Sequence, residues 1–145
     1  GYGAGSVEGL LNDRLIEPQI VGVEIDAEVI AIDREYFGLG ELDNVSVLEM
    51  DATTYVQTCE EKLDLIAVDL FDDDKVPGQF YEKSFLESLK TLLNPGGMLV
   101  FNASVQSSGQ EIAELSKAFQ EIFNGHHTLS LQGNNVLVWE DSTRQ

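Results

Sequence analysis

Acidic side chains follow three predicted strands of this 145-residue chain, each at the point where a strand ends. Glu24 and Asp26 close the first apolar segment, Asp51 follows the second, and Asp69 and Asp72 follow the third. In open α/β sheets, ligands bind beyond the carboxyl ends of the strands. We therefore expect these carboxylates to contribute to one ligand site.

A glycine-rich turn opens the chain and leads directly into a helix-like apolar pattern. The absence of side chains at Gly1, Gly3 and Gly5 would let a ligand approach the backbone at the start of a helix. Glu24 follows about 20 residues later, the interval at which an acidic side chain meets ribose hydroxyls. Several carboxylates disfavour a pyrophosphate and favour an adenosine that carries a positive charge, as a sulfonium nucleoside does.

Each of these features also has a purely structural interpretation. Asp26 and Asp51 can cap the helices that follow them, and the acidic residues 72–74 can form a solvated loop. A short glycine motif is weakly specific by itself. The two histidines, His126 and His127, are adjacent in sequence and lack carboxylates at ligand spacing, so the sequence predicts no metal site.

The elements that must position these residues alternate between strand and helix periodicity. The pattern predicts a closing hairpin around the Gly-Asn-Asn at 133–135. Strands are predicted over 19–25, 44–50, 63–71 and 98–104, and helices over 27–38, 52–60, about 80–93 and from the capping box at 108–111 onward. This order predicts an α/β protein with a Rossmann-like, doubly wound, mostly parallel sheet and a C-terminal antiparallel hairpin.

Four segments of this chain carry a resemblance to a known family: GYGAGS, VGVEIDAEVIAIDREYFG, VLEMDATTYV and KLDLIAVDLFDDDKVPGQFYEKSFLESLKTLLNPGGMLVFN. Over about residues 1–104 the sequence resembles the spermidine synthase-like branch of the class I S-adenosylmethionine-dependent methyltransferase superfamily. The resemblance implies S-adenosylmethionine, or its decarboxylated form, as the cofactor.

The resemblance also implies a role for each candidate site residue. Asp69 and Asp72 overlay an Asp-x-x-Asp motif, in which the first aspartate faces the reacting centre and the second holds the substrate amine. The implied cofactor contacts are Gly1, Gly3 and Gly5 at the methionine part, Glu24 with Ile25 at the ribose, Asp51 with Ala52 at the adenine, and Asp69 at the reacting end.

Two departures from the family pattern bear on the reaction. Aminopropyltransferases of this family carry an aspartate inside the glycine turn that holds the aminopropyl amine, and here that position is Ala4. The residues after Asp72 also lack the family's Pro and Gly-Pro-Ala run. The sequence therefore favours a methyltransferase acting on an amine or another small or protein nucleophile, with Asp69 or Asp72 accepting the proton.

Two alternatives to methyl transfer remain. The first is a polyamine aminopropyltransferase, a spermidine synthase, that uses decarboxylated S-adenosylmethionine. The second is a non-catalytic module that binds a nucleoside or serves in assembly. The presence of both Asp69 and Asp72 favours an active enzyme.

The resemblance also predicts how the sheet is divided. In this superfamily a central strand precedes the glycine turn and lies between the strand that ends at Glu24 and the one that ends at Asp69. That strand is missing from this chain. Residues 1–145 are therefore expected to form one N-terminally incomplete S-adenosylmethionine-binding domain whose sheet is divided in two.

Composition limits the class of partner. Eight Lys and Arg against 26 Asp and Glu give a net charge of −18, which repels nucleic acid and suits a cationic small molecule or a basic protein substrate. A single cysteine, Cys59, excludes an internal disulfide and favours a cytoplasmic protein. No apolar run reaches the ~18–20 residues of a membrane span, so no membrane association is expected. A homodimer is compatible with the sequence.

Overall fold

The computed structural model describes residues 1–3, 18–38, 42–71, 76–104, 109–131 and 134–142. The chain divides into two compact units, Gly1–Tyr55 and Val56–Gln145. The described strands form two sheets, one of two strands and one of four, and helices connect most of them. The predicted α/β class is confirmed, and its strands fall into two groups as expected.

The first unit is built on a strand–helix–strand motif: β1 (Ile20–Glu24), α1 (Ala27–Tyr36) and β2 (Val45–Glu49). The two strands pair in parallel, and their first and last residues are in register. A parallel pair needs a crossover connection, which α1 supplies. Asp26 caps α1 as predicted, because its side chain accepts a hydrogen bond from the backbone N–H of Glu28 at 2.8 Å.

One face of α1 is buried and includes a carboxylate. Ile30 and Asp33 are 4% and 1% exposed, and neither carboxylate oxygen of Asp33 has a hydrogen-bond partner among the residues that the structure describes. Burial raises the pKa of Asp33, because the charged form loses its hydration. The helical spacing of Phe37 favours a core position, but its side chain is 60% exposed. Phe37 is the C-terminal cap of α1, where the helical periodicity ends.

The second unit is dominated by a four-stranded sheet in the order β3–β4–β6–β5. β3 and β4 are parallel, and both β4–β6 and β5–β6 are antiparallel, which confirms the predicted hairpin. The boundary between the two units lies within α2 (Ala52–Thr58). The elements that follow are β3 (Leu63–Val68), a 3₁₀ turn (Gly78–Tyr81), α3 (Lys83–Leu92), β4 (Leu93–Ser104), α4 (Gly109–Ile122), β5 (His127–Leu131) and β6 (Asn134–Glu140).

Aromatic side chains form the centre of this second core. Ring centroids lie 6.1 Å apart for Phe101 and Phe119, 4.7 Å for Phe119 and Phe123, and 5.2 Å for Phe123 and Trp139. The Lys90 ammonium lies 5.4 Å from the centroid of the Trp139 ring and donates a hydrogen bond to the carbonyl of the last α4 residue. This one cation therefore stabilises both the aromatic cluster and the negative end of α4.

β4 is irregular near its start. The sequence predicts that this strand begins at Met98, but β4 begins at Leu93, directly after the helix. The parallel ladder with β3 is interrupted between these two positions, so residues 94–97 form a bulge. A Cβ atom at Gly97 would lie 2.9 Å from the backbone oxygen of Asn94, which explains the need for glycine there.

In the part of the chain that the structure describes, no helix is both long enough and apolar enough to cross a membrane.

Gly97→Ala should destabilise the second unit by about 1–3 kcal/mol, because the new methyl group meets backbone oxygen atoms that cannot move independently. The measurement is the unfolding midpoint of the full-length protein. Gly78→Ala is the matched control, since a Cβ atom there has no heavy atom within 4 Å. Equal midpoints for the two variants would contradict the close packing at Gly97.

Asp33→Asn should stabilise the first unit at neutral and alkaline pH. The folded pKa of Asp33 lies above its ordinary value of 3.8, so its favourable contribution is fully present below pH 3.8 and is lost as the pH rises through the raised pKa. The gain from Asp33→Asn should therefore shrink as the pH is lowered toward 3.8. Melting curves at several pH values measure this gain. Exposed Asp43→Asn is the control, and a pH-independent gain from Asp33→Asn would disprove the interpretation.

Candidate functional site

The first unit contains a cluster around Glu24, the last residue of β1. Its side chain is 8% exposed, and its carboxylate accepts three backbone hydrogen bonds. Oε2 accepts from Gly3 at 3.1 Å, while Oε1 accepts from Ile25 at 2.9 Å and from Asp26 at 3.1 Å. These bonds compensate for the burial of the charge and attach the glycine turn to the end of β1.

A second contact holds the start of the chain on β1. The ring of Tyr2 lies so close to Gly22 that a Cβ atom at Gly22 would be 2.3 Å from it. Gly3 has a φ of +61°, a conformation that favours glycine. The turn is therefore anchored by the Tyr2 ring and by the Gly3 N–H. Sequence reasoning missed Tyr2, although a glycine inside an apolar strand signals the close approach of another group.

The parallel register brings the second acidic strand end to the same edge of this sheet. Glu24 lies opposite Glu49, and the backbone N–H of Met50 donates to the carbonyl of Glu24 at 2.9 Å. Asp51 follows directly, and its Oδ1 accepts from the N–H of Thr54 at 3.0 Å. Asp51 therefore caps the helix that follows β2. It lies at the sheet edge where the glycine turn is anchored.

The remaining cofactor candidates of this unit lie beside these residues. Ile25 is 67% exposed, directly after the Glu24 carboxylate that binds its backbone N–H. Ala52 is half-buried at the first position of α2, and Gly1 is exposed. Gly5 and Asp72 lie outside the described residues, so their roles remain predictions.

The third acidic strand end lies in the second unit. Asp69 follows β3 and is exposed, and its Oδ1 accepts a hydrogen bond from the side-chain amide of Asn102 at 2.9 Å. Asn102 lies on β4, where Val68 is in register with Phe101. The next residue along each strand is therefore Asp69 on β3 and Asn102 on β4. Sequence reasoning missed Asn102, because only the register of the two strands reveals it.

Two further side chains of the second unit, Phe80 and His126, have structural partners. Phe80, near the Asp-x-x-Asp segment, is 6% exposed and packs edge-on against Phe85 at 5.1 Å, as a core residue does. His126 Nδ1 lies 3.2 Å from the carbonyl of Phe123, and its ring contacts Phe119. Within the described ranges, no three His, Cys, Asp or Glu side chains are grouped to hold a metal ion.

Comparison with known proteins identifies the family. A model described as the spermine/spermidine synthase domain matches residues 14–131. The chain belongs to this family. A probable polyamine aminopropyl transferase of Bifidobacterium longum is 32% identical over 138 residues, which cover 94% of this chain and 30% of that protein. The polyamine aminopropyltransferase of Vibrio vulnificus is 32% identical over 129 residues, covering 86% of this chain and 43% of that protein.

A methyltransferase is also similar to this member of the spermine/spermidine synthase family. The human eEF1A lysine and N-terminal methyltransferase is 26% identical over 121 residues, covering 75% of this chain and 17% of that protein. The chain thus spans less than half the length of each of these curated relatives.

Solved structures support the predicted fold for this family member. Human methyltransferase-like protein 13, solved in complex with SAH, matches with a TM-score of 0.86 and 24% identity, over 100% of this chain and 71% of that one. A spermidine synthase in complex with the transition state analogue AdoDATO matches with a TM-score of 0.77 and 16% identity, over 97% of this chain and 52% of that one. The fold is therefore the Rossmann-like fold shared by both groups.

Glu24→Gln should loosen the glycine turn. A glutamine side chain keeps one acceptor oxygen and turns an NH₂ donor toward a backbone N–H that the carboxylate now satisfies. We expect the free energy of unfolding of the first unit to fall by about 1–3 kcal/mol. We also expect faster hydrogen exchange at the amides of Gly3, Ile25 and Asp26. Hydrogen exchange followed by mass spectrometry measures this. Glu49→Gln, at the exposed end of β2, is the control. Unchanged exchange would contradict the anchoring role of Glu24.

Proposed function

We propose that this protein is a transferase that binds an S-adenosyl nucleoside and moves a group from its sulfonium to a nucleophile. The observation that carries the proposal is the hydrogen bonding of Glu24, whose buried carboxylate joins a glycine turn to the end of a parallel strand. That arrangement supplies a close backbone approach and an acceptor oxygen at the same sheet edge. Membership of the spermine/spermidine synthase family supports the same chemistry.

The nucleoside would bind to the first unit. Glu24 has about four acceptor sites on its carboxylate, and three are occupied by backbone N–H groups, which leaves one for a ribose hydroxyl beside Ile25. Asp51 uses Oδ1 for its helix cap, and its second oxygen can accept from the adenine amino group next to Ala52. Gly1, Gly3 and Gly5 would line the methionine part.

The acceptor side depends on Asp69, together with Asp72. An amine nucleophile must lose a proton before it attacks the carbon bonded to sulfur, and an ionised aspartate can accept this proton or hold the ammonium form in place. The sulfonium makes that carbon electrophilic, so the protein mainly aligns the two reactants and excludes water. The net charge of −18 would attract a cationic acceptor, either a small amine or a basic protein segment.

Aminopropyl transfer is the better supported of the two specific reactions. The family model takes its description from spermine and spermidine synthases, and the relatives from Bifidobacterium longum and Vibrio vulnificus are named as polyamine aminopropyltransferases. The methyl transfer favoured by the sequence alone has weaker support. In this role the protein would use decarboxylated S-adenosylmethionine and a diamine.

Methyl transfer remains a second candidate because of one residue. Ala4 stands in the glycine turn where the resemblance places the aspartate that holds the aminopropyl amine. Alanine has no acceptor atom for that ammonium group. Its presence removes a charged contact that would help to distinguish decarboxylated S-adenosylmethionine from S-adenosylmethionine. The similarity to the human eEF1A lysine and N-terminal methyltransferase agrees with this candidate.

Calorimetric titration of the full-length protein with both cofactors separates the two reactions. Tighter binding of decarboxylated S-adenosylmethionine, followed by aminopropyl transfer to a diamine, supports polyamine synthesis. Tighter binding of S-adenosylmethionine, followed by methyl transfer to an amine or a basic protein, supports the second candidate. The absence of binding by either cofactor would refute the proposed function.

Asp69→Asn tests the acceptor side of the reaction. We expect turnover to fall by about 100-fold or more, because the amide cannot accept the proton. Cofactor affinity should change little. Asp64→Asn is the matched control at the other end of β3, where an amide oxygen can still accept the hydrogen bond from Asn94. An unchanged rate in Asp69→Asn would remove Asp69 from the mechanism.

A further inference from the structure

We propose that Asn102 is a positioning residue that holds the carboxylate of Asp69 for group transfer. The inference rests on the proposed function, since it assigns a residue that acts through the acceptor-side aspartate. Asn102 lies on β4, one residue after the position that pairs with the end of β3. Its side-chain amide donates to Asp69 Oδ1 at 2.9 Å.

The orientation of the Asn102 amide follows from the chemistry of its partner. An ionised carboxylate has no proton to donate, so only the NH₂ group of Asn102 can face Asp69. The opposite atom, Oδ1, is then directed away from Asp69. This oxygen is buried and has no hydrogen-bond partner within the described ranges. The side chain is therefore held by its donor group, while its acceptor makes no compensating bond.

An unsatisfied buried acceptor argues against a purely stabilising role for Asn102. Burying a carbonyl oxygen without a donor is unfavourable, and an apolar side chain of similar size would avoid that cost. Phe101 and Ala103 are 0% and 2% exposed and lie on the opposite face of the strand, so the core that they form does not require a polar side chain at Asn102. Asparagine is best explained here by its bond to Asp69.

Asp69 lies at a position where a hydrogen bond from the adjacent strand can hold its side chain. Asp69 follows the last residue of β3 and is exposed, so regular strand pairing does not fix its side chain. A hydrogen bond from the adjacent strand limits the rotation of its carboxylate. Catalytic groups function well when neighbouring hydrogen bonds hold them within about 0.5 Å of the productive geometry.

A double-mutant cycle on the full-length protein tests this role. We expect Asn102→Ala to lower kcat by about 10-fold or more, while the dissociation constant of the S-adenosyl nucleoside stays within about twofold. In an Asp69→Asn background, Asn102→Ala should cause little further loss, because the group it positions is already gone. Asn135→Ala is the matched control, since Asn135 lies in the same sheet and binds the Ser130 hydroxyl instead.

Several outcomes would overturn the proposal. If Asn102→Ala keeps full turnover, or lowers turnover equally in the wild-type and Asp69→Asn backgrounds, Asn102 does not act through Asp69. If the wild-type protein binds neither nucleoside, the proposed function itself fails, which is a distinguishable result. An NMR measurement tests the contact without activity: the side-chain amide signal of Asn102 should shift in Asp69→Ala, which removes the acceptor oxygen, and stay unchanged in Asp64→Asn. An unmoved signal would refute the contact.

Discussion

Parallel strand pairing in a specific register is the constraint that positions the candidate residues within each of the two units. In the first unit, β1 and β2 end together at Glu24 and Glu49, so Asp51 begins its helix at the edge where the glycine turn is anchored. In the second unit, the β3–β4 register brings Asp69 and Asn102 together. A slip of one residue would turn every side chain of a strand to its other face and separate these pairs.

The buried carboxylate of Glu24 shows how a charge can organise backbone. Removing an ionised group from water is costly unless hydrogen bonds replace its hydration, and here three backbone N–H groups do so. The same bonds shape the turn around Gly3, whose positive φ other residues adopt only with strain. Asp33 is the contrasting case, because no hydrogen bond from the described part of the chain compensates its burial. The two buried acids therefore have opposite consequences. Glu24 orders the backbone around it, whereas the charged form of Asp33 lowers the stability of the folded first unit.

Family membership and the individual residues give complementary information about function. Membership of the spermine/spermidine synthase family agrees with the proposed S-adenosyl nucleoside, whereas the Rossmann-like fold alone does not specify a reaction. Which group is transferred depends on a small number of contacts at the ammonium or methyl end of the cofactor. Ala4 is one position where this chain departs from the aminopropyltransferase pattern. The same scaffold serves both reactions, because each needs a bound sulfonium and an aligned nucleophile.

Local patterns in the sequence were sufficient to predict most of the elements. The caps at Asp26 and Asp51 and the closing hairpin form through contacts between residues that are close along the chain, so composition and spacing reveal them. The resemblance to the spermidine synthase-like branch also indicated the fold class correctly. Register was less accessible: β4 begins at Leu93 instead of Met98, since the bulge depends on pairing with β3.

The contacts that give the site its geometry emerged only from the folded chain. The bond between Gly3 and Glu24 joins residues 21 positions apart, and the bond between Asp69 and Asn102 joins residues 33 positions apart. Such partners depend on how strands align and which side chains share a face, and one sequence does not encode that alignment in any local pattern. The residue types and spacing therefore determined which side chains could do the chemistry. Tertiary structure decided which neighbours hold them in place, because register and packing act between distant segments.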